Sequence, residues 1–501
     1  LAGPIPFTAE SIQTLASTKL KPQEAFVNGV WAAALSDSVF DDHSPIDGAL
    51  LCQVANCGAE DVDRAVRISR AAFEDRRWSG LAPRERKRIL LKFADLIEAH
   101  ALELAVLESR DMGMPIAVAM NVNLPAAVES IRWHAEAADK VYDEIAPVGD
   151  GALALIMREP LGVIAAIVPW NFPLMITAWK LGPALAAGNS VILKPAEQSP
   201  LTACRLGELA VEAGIPPGVL NVLPGLGEVT GKALALHGDV DALAFTGSTE
   251  VGKLLLHYAS RSNMKRVNLE CGGKTPNIVM SDAPDLDVAA RAAAFGIFNN
   301  QGQVCNAGSR LLVQQDIHDV FLDKVCTVAR SLKVGNPLDP TSQLGTLVDG
   351  GQLSRVQHYV DGGLKEGARL ILGGQQLTRE QPGYYFEPTI FDGVSNDMTI
   401  AREEIFGPVL STLTFTDVEE AITIANDSPY GLGAALWTRD LTTAHRTARR
   451  IRAGTVFVNA FGGVDMTVPF GGFKQSGNGR DRSLHALEKV TDIKTTWINL
   501  S

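Results

Sequence analysis

Basic charge is in short supply: Lys and Arg number 45 against 57 Asp and Glu, for a net charge of -12 at neutral pH. Nucleic-acid affinity rests on basic side chains that displace counterions, so no nucleic-acid partner is expected. Also missing is any apolar run of the ~18–20 residues that a membrane helix needs. The longest, Leu161 to Pro169, is much shorter and ends in proline, so no membrane span is expected. The first ten residues have no basic flank, and no secretory leader is expected there. Cysteine is sparse: Cys52, Cys57, Cys204, Cys271, Cys305 and Cys326 are six in 501 residues. No Cys or His pair follows Cys52 and Cys57 to complete a zinc site, and the nine histidines form no HExxH, so no metal is expected. Such cysteine usage suits a reducing compartment, and a cytoplasmic location is expected.

What remains is ordinary for a globular protein. Hydrophobic residues make up 46% and charged residues 20% of a chain long enough for two or three domains. Arg84 to Leu107 and Pro125 to Tyr142 carry apolar residues at helical spacing. From Val163 to Val168 an apolar run bounded by glycine and proline reads as a buried strand. Strand and helix then alternate. Ser190–Leu193, Val219–Leu223, Ala242–Phe245 and Arg266–Leu269 are strands, separated by helices Pro200–Ala213, Val229–Leu236 and Val251–Ser260. A second series supplies Asn277–Met280, Arg310–Val313, Val409–Phe415, Ala434–Trp437 and Val456–Val458. The pattern predicts an α/β fold with parallel sheets and ligands at the strands' C-terminal ends. Asp492–Asn499 alternates like an exposed edge strand, which invites a partner strand or subunit.

Several segments could carry chemistry. Pro224 to Gly231 and Phe245 to Lys253 are Gly-rich turns between a strand and a helix, where free N–H groups can meet a phosphate. Neither is a GxGxxG fingerprint, and such turns are also common as plain structure. Lys194 and Glu197 follow a strand end, where an acid can accept from ribose hydroxyls and repel a 2′-phosphate. A solvated ion pair explains them as well. Cys305 lies in a polar, Gly-punctuated run after the apolar helix Ala289–Phe298, where a thiol can be exposed and acidified. Glu270 ends a strand and abuts Cys271-Gly-Gly-Lys274, a position from which a carboxylate can act as general base.

In chain order stand Val168-Pro-Trp-Asn-Phe-Pro173, Lys194/Glu197, Phe245–Lys253, Glu270-Cys-Gly-Gly-Lys274, Gln301-Gly-Gln-Val-Cys305, Glu403-Glu-Ile-Phe-Gly-Pro408 and Pro469-Phe-Gly-Gly-Phe-Lys474. This series resembles the aldehyde dehydrogenase superfamily, from about Phe26 to Ile498. Asp465 to Lys489 resembles most closely the bacterial γ-glutamyl-γ-aminobutyraldehyde and 4-guanidinobutyraldehyde dehydrogenases of polyamine catabolism.

The resemblance implies a Rossmann-like parallel-sheet NAD-binding domain (residues 10–140 with 161–271) and an α/β catalytic domain (272–475). A small β oligomerisation element (141–160 with 488–501) completes it, serving a homodimer or homotetramer. It implies that Cys305 attacks an aldehyde and that Asn171 with the Cys305 N–H holds the oxyanion. Glu270 would activate water to release the acid. Relatives that transfer the acyl group to coenzyme A lack that glutamate, and the intact Cys305, Glu270 and Asn171 disfavour a protein that kept only the fold. NAD, with NADP acceptable, would be held by Trp170, Lys194, Glu197, Gly225, Gly247, Ser248, Gly252, Glu404 and Phe406. The implied substrate tunnel is Asn123, Phe172, Met175, Trp179, Asn299, Val304, Phe461 and Val464. Relatives carry an acid where this chain has Asn123 and an Asp-bearing loop at Phe461-Gly-Gly463. A medium-length aldehyde with an amide, neutral or apolar tail, such as γ-glutamyl-γ-aminobutyraldehyde, is therefore expected ahead of an ω-amino or guanidino aldehyde. A broad-specificity aliphatic or aromatic aldehyde dehydrogenase is the alternative. Cys271 is unusual beside Glu270; a small buried filler and a second oxidisable thiol are both open readings.

Overall fold

The computed structural model describes residues 7–378, 382–463 and 465–500. A seven-stranded sheet carries Arg266–Glu270, Ala242–Thr246, Val163–Ile167, Ser190–Lys194 and Leu220–Val222 in that spatial order, all parallel. Ala25–Val27 and Val30–Ala32 extend it antiparallel at one edge. The central strands read as unbroken apolar runs because both faces are covered. Ile164 and Ala166 join one core cluster, whereas Val163, Ala165 and Ile167 join another on the opposite face.

A second seven-stranded sheet orders Arg369–Leu372, Thr389–Asp392, Val409–Phe415, Arg310–Gln314, Pro276–Val279, Gly433–Trp437 and Thr455–Val458. Only its first strand is antiparallel. Between the two sheets the chain crosses at residues 271–275, which sets Glu270 and Cys271 at a boundary. A third, antiparallel sheet pairs Thr491–Asn499 with Ala152–Pro160, and the latter with Glu144–Ala146. Its surface exposes Ile145, Ile493 and Trp497. Among the described residues, no helix is long and apolar enough to cross a membrane.

Two expectations need adjustment, and one element is new. The helix read over Arg84 to Leu107 is two helices, Pro83–Ala99 and Ala101–Met112, because His100 leaves helical geometry (φ -98°, ψ 20°). The helix read to Tyr142 ends at Ala137, and a π-turn over Ala119–Asn123 precedes it. The edge hairpin at Ala25–Ala32 was not anticipated. Its turn, Asn28-Gly29, places both residues at positive φ (56° and 80°), the geometry that an Asn-Gly hairpin turn requires.

Candidate active site

A cavity of about 390 Å³ opens where the strands of the first sheet end. Pro169, Trp170, Asn171, Thr246, Gly247 and Ser248 line it from that sheet, Cys271 and Gly272 from the crossing, and Cys305, Gln352, Arg355, Glu404, Phe406 and Tyr430 from the other side. Residues far apart in sequence thus converge on one cleft.

The Cys305 loop is held in an unfavourable backbone conformation. Asn300, Gln301 and Gly302 all take positive φ (47°, 56° and 72°). Left-handed backbone costs a non-glycine residue about 1–3 kcal/mol, so it persists only where surroundings over-determine it. Here side-chain amides do so. Asn300 Nδ2 donates to the Asn171 carbonyl (2.9 Å), and Gln301 Nε2 donates to those of Thr346 (2.9 Å) and Gly113 (3.2 Å). Gln301 Oε1 accepts from Gly345 N (2.8 Å), and Gln303 Oε1 from Val348 N (3.0 Å). Asn171 Nδ2 donates to the Gln303 carbonyl (2.8 Å), which brings the Asn171 amide to the backbone just before Cys305.

The expected exposure of Cys305 is met in part, since it lines the cleft, whereas the expected acidification is not found. The thiol is half-buried, and burial pushes its pKa up to about 12, with the Glu404 and Glu270 carboxylates adding to the shift. Glu270 is buried and its carboxyl is raised well above the usual range, by burial first and then by Asp481. It does not line the cavity. Neither carboxylate oxygen has a hydrogen-bond partner, and Oε1 lies where a Cβ on Gly471 (2.7 Å) or Gly479 (3.1 Å) would crowd it.

Around the cleft, Ser248 caps the helix Thr249–Ser260 by accepting from Val251 N (3.2 Å). Buried Thr246 Oγ1 is unpartnered beside it. Glu404 accepts from Gly273 N (3.0 Å), and a Cβ on Gly272 would stand 1.9 Å from its Oε2, so the approach requires glycine. Burial raises the Glu404 carboxyl to about 7. Phe406, at φ 60°, meets Trp170 edge-to-face at 5.2 Å, and Gln352 Nε2 fixes its carbonyl (2.7 Å). Lys194 and Glu197 pair at 3.1 Å outside the cavity, with Gly227 next to Glu197. Gly225 (φ 151°) packs where a side chain would strike Thr230 Oγ1. Gly252 and Cys271 Sγ are in close contact: a Cβ there would lie 3.0 Å from the sulfur. That thiol is buried, and burial raises it to about 12, so the buried-filler reading of Cys271 fits the packing.

Of the expected tunnel residues, Phe172, Met175, Trp179 and Val304 share one apolar cluster with Cys305. Asn299 and Phe461 are half-buried, and Phe461 instead packs on Gly296, Gly308 and Phe457. Val464 lies outside the described residues. Asn123 differs from expectation. It is fully buried and donates its amide to Glu108, whose other oxygen accepts from Leu174 N (2.7 Å). Its amide nitrogen therefore serves the start of the helix Pro173–Ala187, while its buried Oδ1 has no hydrogen-bond partner.

Within the expected turn Phe245–Lys253, Thr246 and Glu250 line the cleft, whereas Ile176, Gln352, Arg355 and Tyr430 line it with no signal in the sequence. Phe470, which meets Trp179 at 5.2 Å, and Arg482, which lies over that indole at 5.4 Å, likewise had no role assigned from the sequence. Among the described residues no cluster of His, Cys, Asp and Glu could hold a metal.

Comparison with known proteins agrees with this architecture. The model of the aldehyde dehydrogenase family matches residues 31–496. The NADP/NAD-dependent aldehyde dehydrogenase PuuC of Escherichia coli is 54% identical over 475 residues, 95% of each chain. The structure of Pseudomonas syringae indole-3-acetaldehyde dehydrogenase AldA with NAD+ and IAA is 56% identical with a TM-score of 0.98, covering 99% of this chain and 100% of that one. The structure of γ-glutamyl-γ-aminobutyraldehyde dehydrogenase from Burkholderia cenocepacia is 55% identical with a TM-score of 0.97 over the same shares. The chain belongs to the aldehyde dehydrogenase family.

Proposed function

We propose that this NAD(P)-dependent aldehyde dehydrogenase converts its substrate to a free carboxylic acid in two covalent stages on Cys305. The observation that carries the reading is the convergence of Asn171, Cys305, Ser248, Glu404 and Phe406 on one cleft. The residues fit a dinucleotide. A helix start and an unpartnered Thr246 hydroxyl face the cleft for a pyrophosphate, and the Glu404 carboxylate and the Lys194/Glu197 pair stand apart for two riboses. The acid at Glu197 favours NAD over NADP, and Gly225, Gly247, Gly252 and Trp170 complete the cradle. When bound, the nicotinamide supplies the hydride acceptor.

The chain's own groups do the rest. Cys305 sulfur, once deprotonated, adds to the aldehyde carbon to give a thiohemiacetal. The second N–H of the Asn171 amide and the Cys305 N–H receive the developing oxyanion. Loss of hydride leaves a thioester on Cys305. Glu270 takes a proton from water, the oxygen adds to the acyl carbon, and the C–S bond breaks to release acid and return the thiol.

The substrate proposed is a medium-length aldehyde with an amide or neutral tail, of which γ-glutamyl-γ-aminobutyraldehyde is one example. Supporting this are the apolar walls of Phe172, Met175, Trp179 and Val304, and the Arg482 cation over the Trp179 ring, which repels a cationic tail. The reading takes the protein to be cytoplasmic and a homodimer or homotetramer, and the exposed Ile493 and Trp497 of the Thr491–Asn499 strand support it as the seam between subunits.

Three measurements test the reading. Asn171→Ala is expected to lower kcat about 100- to 1000-fold, the usual cost of one oxyanion donor. Cys305→Ser is expected to end NAD+ reduction, and parental turnover by that variant would refute the scheme. A strong kcat/KM preference for aminopropanal over butanal would refute the substrate class.

A further inference from the structure

Beneath Glu270 lies a buried ionic cluster that the scheme above does not use. Asp481 is fully buried, and its Oδ2 accepts from Lys180 Nζ (2.6 Å) while its Oδ1 accepts from Lys489 Nζ. Both lysines are themselves buried. Burial works against ionisation of Asp481, yet the two ammonium groups hold its carboxyl below the ordinary range. Backbone joins this cluster to Glu270. Phe470 and Asp481 exchange hydrogen bonds (2.8 and 2.7 Å), and the next residue, Gly471, is the one against which Glu270 Oε1 rests. Lys489 is tied to the Glu270 strand as well: its carbonyl accepts from Asn268 Nδ2 (3.2 Å).

We propose that Lys489 is a positioning residue for the hydrolytic stage: as a second buried cation on Asp481, it sets the charge balance in which Glu270 gains and loses its proton. The inference rests on the assignment of Glu270 as the base. Two lysines around one aspartate leave a net positive charge, which an ionised Glu270 neutralises. Without Lys489 the same ionised glutamate would add a second negative charge to a buried cluster holding one cation fewer. The other groups facing the cluster are Arg480, from the segment beside Gly471, and His134, from the helix Leu124–Ala137. Burial, with Lys489 adding to it, lowers that imidazole to about 4, so it is neutral. The thiols Cys271 and Cys305, both raised to about 12, are neutral too.

The test is the pH dependence of acyl-enzyme decay, followed by rapid quench and intact mass after loading with propanal and NAD+. Removing a nearby cation raises a carboxyl pKa, here by about one unit. Lys489→Met is therefore expected to move the midpoint up by that amount, slowing decay about tenfold on the acid side, and Lys489→Arg to restore it. Asp481→Asn is expected to move the midpoint the opposite way. A purely structural role would lower the plateau without moving the midpoint, and that result, or shifts in the same direction for both variants, would overturn the proposal. Should Lys489→Met fail to fold, Asp481→Asn decides alone: an unmoved midpoint rejects it. Glu270→Gln separates the two readings. If that variant hydrolyses the acyl-enzyme at the parental rate, the base assignment has failed; if it does not, and Lys489→Met leaves the midpoint in place, only the present inference has.

Discussion

Gln301 offers the sharpest test of how the Cys305 loop is held. Its side chain makes three hydrogen bonds in a buried setting, to the Thr346 and Gly113 carbonyls and from Gly345 N. Truncation to alanine leaves those groups without partners, at about 1–3 kcal/mol for each one that water cannot reach. The backbone at φ 56° stays left-handed, which costs alanine about 1–2 kcal/mol and glycine almost nothing. Gln301→Ala is therefore expected to lose roughly 3–5 kcal/mol, and Gln301→Gly about 1 kcal/mol less than that. In a chain with more than one sheet domain a single unfolding free energy is poorly defined, so the ranking of thermal midpoints is the measure: parent above Gly, Gly above Ala. Alkylation of Cys305 by iodoacetamide and kcat report whether the loop has moved. If Gln301→Gly melts at or below Gln301→Ala, the backbone cost is not where the geometry puts it. If Gln301→Ala keeps the parental midpoint and kcat, the amide bonds do not hold the nucleophile.

Three further outcomes follow from the site. Burial raises the Glu404 carboxyl from 4.5 to about 7, so its anionic form grows as pH rises through about 7. KM for NAD+ should fall over that range, and Glu404→Gln should flatten the profile and raise KM. The same shift makes this group's contribution to stability largest below about pH 4.5 and progressively lost toward about pH 7, because the folded state binds the proton more tightly. Gly252→Ala should weaken NAD+ binding several-fold in a fluorescence titration, because its Cβ meets Cys271 Sγ at 3.0 Å, and adding Cys271→Ala should restore it. Asn123→Asp should place a second carboxyl on Glu108 and lower the thermal midpoint, while leaving the ratio of kcat/KM for charged and neutral aldehydes unchanged; a changed ratio would return Asn123 to the tunnel wall.

Much of this architecture was legible in advance. A strand such as Val163–Ile167 is buried on both faces, so its apolar run announces both the strand and the layers that cover it. The edge hairpin was legible too, since Asn28-Gly29 carries the turn chemistry; Trp31 and the short flanking strands gave too little periodicity for it to be noticed. The contiguous motif residues Asn171, Cys305, Ser248, Glu404 and Phe406 do meet. Gln352 and Arg355 could not be foreseen. They sit on Gly350–Lys365, an amphipathic helix like many others, and only the tertiary fold turns their side chains to the Glu404–Phe406 backbone. Lys180 lies far in sequence from Asp481 and Lys489, and no local pattern distinguishes a buried lysine from an exposed one before the fold brings its partner.

The Cys305 thiol shows most clearly which information local sequence omits. A glycine-punctuated turn after a helix admits several electrostatic outcomes, because a thiol is acidified by donors and cations but made less acidic by burial and anions. The turn supplies backbone donors, as expected: the Cys305 and Asn306 N–H groups both favour the thiolate. Burial outweighs them, and the two carboxylates that act on the sulfur arrive from Glu270 on the first sheet and Glu404 beyond the second. The presence of a thiol in this turn is thus a local property, whereas its protonation is set by how two sheets meet. The same meeting leaves Glu270 buried without a hydrogen-bond partner, so its own ionisation depends on the charges of Asp481, Lys180 and Lys489 behind it. Proton inventory at this site is therefore a property of the whole cluster, and substitutions that change its net charge should act on rate through pH even where they touch no substrate atom.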